Sequence, residues 1–226
     1  MSAPGPATID WTLWLPHGRV VAVAVGEPDD AAAIAGLHAD ERAALTGVGT
    51  GRRGEWIAGR RALRAALVDV GGDAAAGCAI VIDDRGAPVV PRGLVGSISH
   101  KRELAVALAA RDDGWRVGVD LEQRGKRPFD IARRVMTPPE LAAIAHLDGA
   151  HRDHAVIRAF ALKEAVYKAI DPFLRRYVGF LEVAVWPDEA GGATVEGDPV
   201  RGLEVEAGWQ LVGEGLVLCT ARARRR

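Results

Sequence analysis

Two periods organise the hydrophobic and polar positions of this chain. Period two comes first: Trp11–Leu15 and 19–25, around Pro16-His17-Gly18, predict a pair of strands. Residues 1–10 are expected to be disordered. Gly26-Glu27-Pro28 ends the second strand, and Asp29 or Asp30 caps a helix over 30–37. A short helix over Asp40–Leu45, capped by Asp40, follows. Helical periodicity is strongest over 53–69, with Trp56, Ile57, Leu63 and Leu67 apolar and Arg53, Arg60, Arg61 and Arg64 basic. A loop over 71–77, a strand at Ala79–Ile82 and a turn over 83–88 come next. Leu104–Ala110 is an apolar run, expected as a buried strand. Asp112-Asp113-Gly114 would turn it into a hairpin with the next strand, where Val117, Val119 and Leu121 alternate with Asp120 and Glu122. Short helices over 129–136 and 138–147 follow, the second with Thr137 as cap and Pro138 in its first position. A helix over 152–170 ends at Asp171-Pro172. Strands at Leu181–Trp186, Leu203–Val212 and Leu216–Ala221 close the chain.

A weak repeat underlies this order. Glu41-Arg-Ala-Ala-Leu45 echoes Glu140-Leu-Ala-Ala-Ile144, and each precedes a longer helix. The offset is too long for a solenoid and points to two related halves.

Composition narrows the classes. The 226 residues suffice for one large domain or two small ones, and 49% hydrophobic residues allow a sizeable core. A formal charge of -1 gives no global basic field for nucleic acid. The basic end, Arg222, Arg224, Arg225 and Arg226, is expected to be a frayed tail. Cys78 and Cys219 suggest neither a disulfide framework nor a CxxC metal site. No run is long and apolar enough for a membrane span, and the N-terminus lacks the pattern of a secretory signal, so a cytoplasmic protein is expected. A GxGxxG at 49, 51 and 54 follows a helical stretch rather than a strand, which argues against a dinucleotide fingerprint. His146, His151 and His154 are spaced too loosely for a metal site.

Three segments carry candidate chemistry: Gly96–His100, Val117–Glu122 and Phe160–Lys168. Strand alternation puts Asp120 and Glu122 on one face, roughly 7 Å apart, where they repel unless a cation or basic groups lie between them. Glu164 and Lys168 share a helix face at i,i+4. Oxygen ligands from Asp120, Glu122 and Glu164 suit a hard cation such as Mg2+, whose other ligands are water and phosphate oxygens. Ser99, His100, Lys163 and Lys168 could then hold an anion. Each segment also has a plainer reading: a solvated strand edge, a helix-surface ion pair, a loop histidine.

Taken together, in this order and at these separations, Gly96-Ser-Ile-Ser-His100, Gly118-Val-Asp-Leu-Glu122 and Lys163-Glu-Ala-x-x-Lys168 resemble the signature set of the Sfp-type 4'-phosphopantetheinyl transferases. The resemblance runs from about Arg52 to about Gly179. It implies an α+β fold of two pseudo-symmetric α/β halves packed side by side, with the active site in the cleft between them. The expected division is an N-terminal half over 1–103, holding the phosphates of coenzyme A, and a C-terminal half over 104–226, with the metal site and catalytic helix. The implied activity is transfer of 4'-phosphopantetheine from coenzyme A to a serine of an apo acyl- or peptidyl-carrier protein, releasing adenosine 3',5'-bisphosphate. Asp120, Glu122 and Glu164 would bind Mg2+, with Mn2+ as an alternative metal. Arg52, Arg60, Gly86, Ser99, His100, Lys163 and Lys168 would contact coenzyme A, with Arg64 a weaker candidate. Glu164, Lys168 and His100 would be catalytic. Ala87 stands where some members have lysine, and Arg85 could substitute. Arg124, Lys126 and Arg127, with Met136–Leu141, would offer a docking surface for the carrier. The protein is expected to be a monomer without nucleic-acid or membrane partners. The competing classes are a Mg2+-dependent hydrolase of coenzyme A or a related nucleotide diphosphate, and a non-catalytic binding module.

Overall fold

Gly18, at φ +137, opens the second strand of a hairpin formed by β1 (Ile9–Leu15) and β2 (Gly18–Ala24), as the early alternation predicts. The computed structural model describes residues 9–101, 103–125, 131–213 and 215–226. The chain divides into two units, residues 1–113 and 114–226.

In the first unit, β2 is apolar and buried from Val20 to Val23, as a central strand must be. Helices α1 (Ala31–Ala35), α2 (Ala39–Leu45) and α3 (Thr50–Gly71) follow, then β3 (Leu94–Lys101) and β4 (Leu104–Arg111). The strands form an antiparallel sheet in the order β1-β2-β4-β3. Ala58, Ala62, Leu63, Ala66 and Leu67 of α3 share one core with Val21 and Val23 of β2 and Ala105, Ala107 and Ala109 of β4.

The second unit repeats the pattern. It runs through β5 (Arg116–Gln123), α4 (Ala132–Val135), α5 (Pro138–Ala143), α6 (Gly149–Leu174), β6 (Ala184–Pro187), β7 (Gly192–Glu196), β8 (Leu203–Val212) and β9 (Leu216–Arg225). The sheet order is β5-β9-β8-β7-β6, again antiparallel. Ala161, Leu162, Ala165 and Ala169 of α6 join Val217, Cys219, Ala221 and Ala223 of β9 in its core. In each unit a strand leads into two short helices and one long one, and then further strands, two in the first unit and four in the second. The first strand pairs with the last: β2-β4-β3 corresponds to β5-β9-β8.

Several expectations change. The division falls after Asp113 rather than after residue 103, because β4 is hydrogen-bonded on both edges, to β2 and β3. For the same reason β4 forms no hairpin with β5, which pairs with β9. The strand matching β2 in the repeat is therefore β5. Residues 79–82 form no named strand; Ile82 makes one isolated bridge, to Pro88. α2 is capped by His38 rather than Asp40. α6 runs through Pro172 to Leu174, since a proline this near the end forfeits one hydrogen bond and the helix closes on Arg175 at φ 49. The basic end is largely strand: Arg222 and Arg224 pair across to Glu206 and Glu204 and stack on Trp115. Residues 1–8 and 126–130 lie outside the described residues.

Candidate functional site

In the first unit, β3 and α3 fix the candidate residues by a matching of periods. Alternation points Gly96, Ile98 and His100 of β3 to one face. On α3, Glu55, Gly59 and Leu63 lie one turn apart on one stripe. A Cβ at Gly59 would meet Ile98 Cγ2 at 2.9 Å, and one at Gly96 would meet Leu63 Cδ1 at 2.7 Å, so helix and strand approach closely because both positions are glycine. His100 thereby reaches Glu55, with Nδ1 3.2 Å from Oε2. Ser99 lies on the opposite face of β3 and is buried.

Arg60 is 6% exposed. Its guanidinium lies 3.7 Å over the Trp56 ring, and Nη1 donates to the Trp56 carbonyl at 3.4 Å. Its Nε is buried without a hydrogen-bond partner. Burial lowers its pKa to about 10 against the opposing pull of Glu41, so the group stays cationic at neutral pH. Arg52 is exposed in the first turn of α3. Gly86, at φ +84, closes an exposed turn in which Asp83 Oδ1 accepts the N–H groups of Arg85 and Ala87. Arg64, the weaker phosphate candidate, is committed elsewhere: it donates to Glu41, Ala76 O and Cys78 O.

In the second unit, β5 and α6 carry the candidates. A Cβ at Gly118 would lie 1.9 Å from the Ala165 carbonyl oxygen, so only glycine lets α6 lie directly on β5 there. By alternation Asp120 and Glu122 point to that same helix-covered face, and each is 6% exposed. Burial removes the reading of a solvated edge, although β5 does edge its sheet. Lys168 Nζ donates to Asp120 Oδ1 at 2.9 Å and to Val119 O at 2.8 Å, which uses two of its three donors. Opposite Asp120 on β9, the Cys219 thiol has its pKa pushed well up by burial and by the charges of Asp120 and Glu122. Arg158 of α6 opposes that field. Its guanidinium lies 4.3 Å over Trp209, and burial lowers its pKa.

Glu164 is partly exposed and lines a pocket of about 70 Å³ with Tyr167, Tyr177, Phe180 and Val183. Among the described residues, no group of three or more His, Cys, Asp or Glu side chains converges as a ready-made metal cluster. The structure thus brings Asp120 and Glu122 to one face and ties Lys168 to Asp120, while the three carboxylates are not gathered into one cluster.

Lys163 does not face an anion site. Its side chain is 2% exposed, and it donates to Glu140 Oε2 at 2.7 Å, Val135 O at 2.7 Å and Phe180 O at 2.9 Å, which uses all three donors. In the expected docking surface, Met136 is core, and Arg124 turns to His154. Lys126 and Arg127 lie outside the described residues. Sequence reasoning missed Glu55, Glu140 and the pocket. Of these, Glu140 left a signal, since Thr137-x-x-Glu140 is a capping box.

Two family models match the chain. The model of the 4'-phosphopantetheinyl transferase superfamily covers residues 116–221, and that of the 4'-phosphopantetheinyl transferase N-terminal domain covers residues 40–110. The 4'-phosphopantetheinyl transferase PptT of Mycobacterium tuberculosis is 32% identical over 184 residues, 74% of this chain and 77% of that protein. This chain belongs to the 4'-phosphopantetheinyl transferase superfamily. Other transferases resemble it over shorter spans. Npt of Nocardia iowensis is 34% identical over 65% of this chain and 64% of its own length, and Svp of Streptomyces mobaraensis is 38% identical over 59% and 58%. The chain therefore spans less than two thirds of the lengths of Npt and Svp. Among solved structures, a holo-(acyl-carrier-protein) synthase from Bacillus anthracis in complex with CoA (3',5'-ADP) aligns at a TM-score of 0.41 and 19% identity, over 49% of this chain and 96% of that one. The superfamily match takes in Asp120, Glu122, Lys163, Glu164 and Lys168, and the N-terminal match takes in Arg52, Arg60, Gly86, Ser99 and His100.

Proposed function

We propose that this transferase-family chain moves the 4'-phosphopantetheine group of coenzyme A onto a serine of an apo acyl- or peptidyl-carrier protein, with Mg2+, releasing adenosine 3',5'-bisphosphate. The observation that carries the reading is the buried pair Asp120 and Glu122 on one strand face, with Lys168 at Asp120, inside a region matched to this superfamily. Two adjacent buried carboxylates are the donor set of a hard cation, and Mg2+ usually takes only one or two carboxylates beside water and substrate phosphates. Asp120 and Glu122 would hold it, and Glu164, which does not join them in one cluster, is left for proton transfer. When bound, the metal supplies charge neutralisation on the diphosphate leaving group.

The chain's own groups do the remaining work. The free donor of Lys168 is available to a diphosphate oxygen. Arg60 offers a buried Nε–H to a phosphate, and its planar fork suits that ligand. His100, Arg52 and the Gly86 turn serve the nucleotide end, whereas the buried Ser99 side chain faces away from His100. The pocket beside Glu164, walled by Tyr167, Phe180 and Val183, suits the slender pantetheine arm. Glu164 accepts the proton of the incoming serine hydroxyl. No described helix is long and apolar enough to cross a membrane.

The test is intact-mass spectrometry of an apo carrier protein after incubation with this chain, coenzyme A and Mg2+, beside a metal-free control. A metal-dependent gain of one phosphopantetheine is expected. Bisphosphate release without that gain would make the chain a hydrolase; neither, across several carriers, would leave a binding module.

A further inference from the structure

Each unit contains the same buried clasp. In the first, Glu41 is the third residue of α2 and fully buried. It accepts the His38 N–H at 2.8 Å, the Arg64 guanidinium at 2.5 and 2.6 Å, and the Ile80 N–H at 2.8 Å. In the second, Glu140 is the third residue of α5 and 1% exposed. It accepts the Thr137 N–H at 2.7 Å, Lys163 Nζ at 2.7 Å and the Val185 N–H at 2.9 Å. In both clasps the cation stands 23 residues after the carboxylate, on the long helix. In both it also grips backbone carbonyls of the segment that leaves that helix: Ala76 and Cys78 for Arg64, Phe180 for Lys163.

The surroundings of the two clasps differ. In the second unit the clasped lysine directly precedes Glu164, and the gripped segment supplies Tyr177, Phe180 and Val183 to the wall of the pocket that Glu164 lines. We infer that Glu140 and Lys163 are positioning residues for the proposed transfer: their ion pair fixes α6 at Glu164 and holds residues 177–183 as the pocket wall, and Lys163, though its side chain lies in the pocket lining, gives no hydrogen bond to a phosphate of coenzyme A. This rests on the transferase reading. A cation with all three donors satisfied internally has none left for phosphate. A wall held by one buried ammonium loosens when that ammonium loses its carboxylate.

The test uses the full chain and three variants: Glu140→Gln, which keeps the shape, Lys163→Met, and Glu41→Gln as the matching change in the first unit. Turnover is measured per folded molecule, together with the KM for coenzyme A and the deuterium exchange of amides 177–183. Glu140→Gln should lower kcat about 10-fold or more with KM changed less than about 2-fold, as loss of a group supporting a catalytic ligand does. Exchange over 177–183 should accelerate, while Glu41→Gln should leave both readings at wild-type level. If Lys163→Met instead raised the KM for coenzyme A about 10-fold and kept kcat, the lysine would be a phosphate ligand after all. Equal kcat for Glu140→Gln and Glu41→Gln would make the clasp structural only. A wild-type chain that transfers nothing would sink the transferase reading instead, and the exchange data would still decide whether the clasp holds the wall.

Discussion

The two units share a frame and bury opposite charges. Behind α3 the first unit hides a guanidinium, Arg60, stacked on Trp56. Under α6 the second hides two carboxylates, Asp120 and Glu122, with Lys168 on one of them. Burying charge is costly unless something compensates it. Small residues make both burials feasible: Gly59 against Ile98 in one unit and Gly118 against Ala165 in the other draw a long helix onto its sheet. The same topology thus buries a guanidinium in one unit and a pair of carboxylates in the other.

The largest effect should come from the acidic unit. Asp120→Asn should lower phosphopantetheine transfer by about 100-fold or more, since a ligand change is expected to exceed the 10–100-fold typical of the supporting shell. Added Mg2+ should raise the melting temperature of the wild type but not of this variant, because only a bound ligand shifts the midpoint. Full activity in Asp120→Asn would mean that the carboxylate pair is not the metal site.

Next comes the clasp that both units share. Glu41→Gln should cost about 3–5 kcal/mol in urea unfolding, the usual penalty for breaking one side of a buried pair. It should leave the KM for coenzyme A alone. A neutral result would show that Arg64 is content with Ala76 O and Cys78 O, and that the two clasps are alike in geometry only.

Arg60 probes the basic unit. Arg60→Met should raise the KM for coenzyme A about 10-fold or more, the worth of a hydrogen bond to a charged group, with a smaller effect on kcat. Its pKa of about 10 lies below the ordinary value, so the fold binds that proton less well than the unfolded chain does. The charged form therefore costs stability below about pH 10, and the cost relaxes as pH rises from there toward the ordinary arginine range. Without ligand, Arg60→Met should melt no lower than wild type. A lower midpoint would mean that the stack on Trp56 outweighs desolvation.

Much of this was legible in the sequence, and the losses have definite causes. Alternation located β1, β2, β5, β8 and β9, and the echo of Glu41–Leu45 in Glu140–Ile144 marked the structural repeat. Asp120 and Glu122 stand out because apolar strand positions frame them, and Lys168 because it shares a helix face with Glu164. Lys163 misled because a lysine beside a glutamate looks the same on paper whether it faces solvent or core. Its fate is decided by Glu140, twenty-three residues earlier, and by carbonyls of Val135 and Phe180 that only folding brings near. The boundary after residue 103 failed similarly, since strand order within a sheet is a long-range choice. Arg222 and Arg224 passed for a frayed tail because their partners, Glu206, Glu204 and Trp115, are distant in sequence.

The smallest effect concerns two histidines with opposite company. His100 in the first unit faces the Glu55 carboxylate, whereas His154 in the second meets the Arg124 guanidinium. Burial first, then the charges of Arg124, His151 and Arg158, lower the His154 pKa below 6.5, against a weaker opposing pull from Asp153. A histidine with a lowered folded pKa is disfavoured as a cation by the fold. It therefore leaves stability untouched well above 6.5 and erodes it as pH falls from there through the folded pKa. His154→Gln should accordingly flatten the fall in melting temperature between about pH 7.5 and about pH 5.5, a window set by the ordinary histidine range. His154 is half-buried and reaches solvent in part, so screening keeps the change small. An unchanged slope would mean that the Arg124 contact yields on protonation.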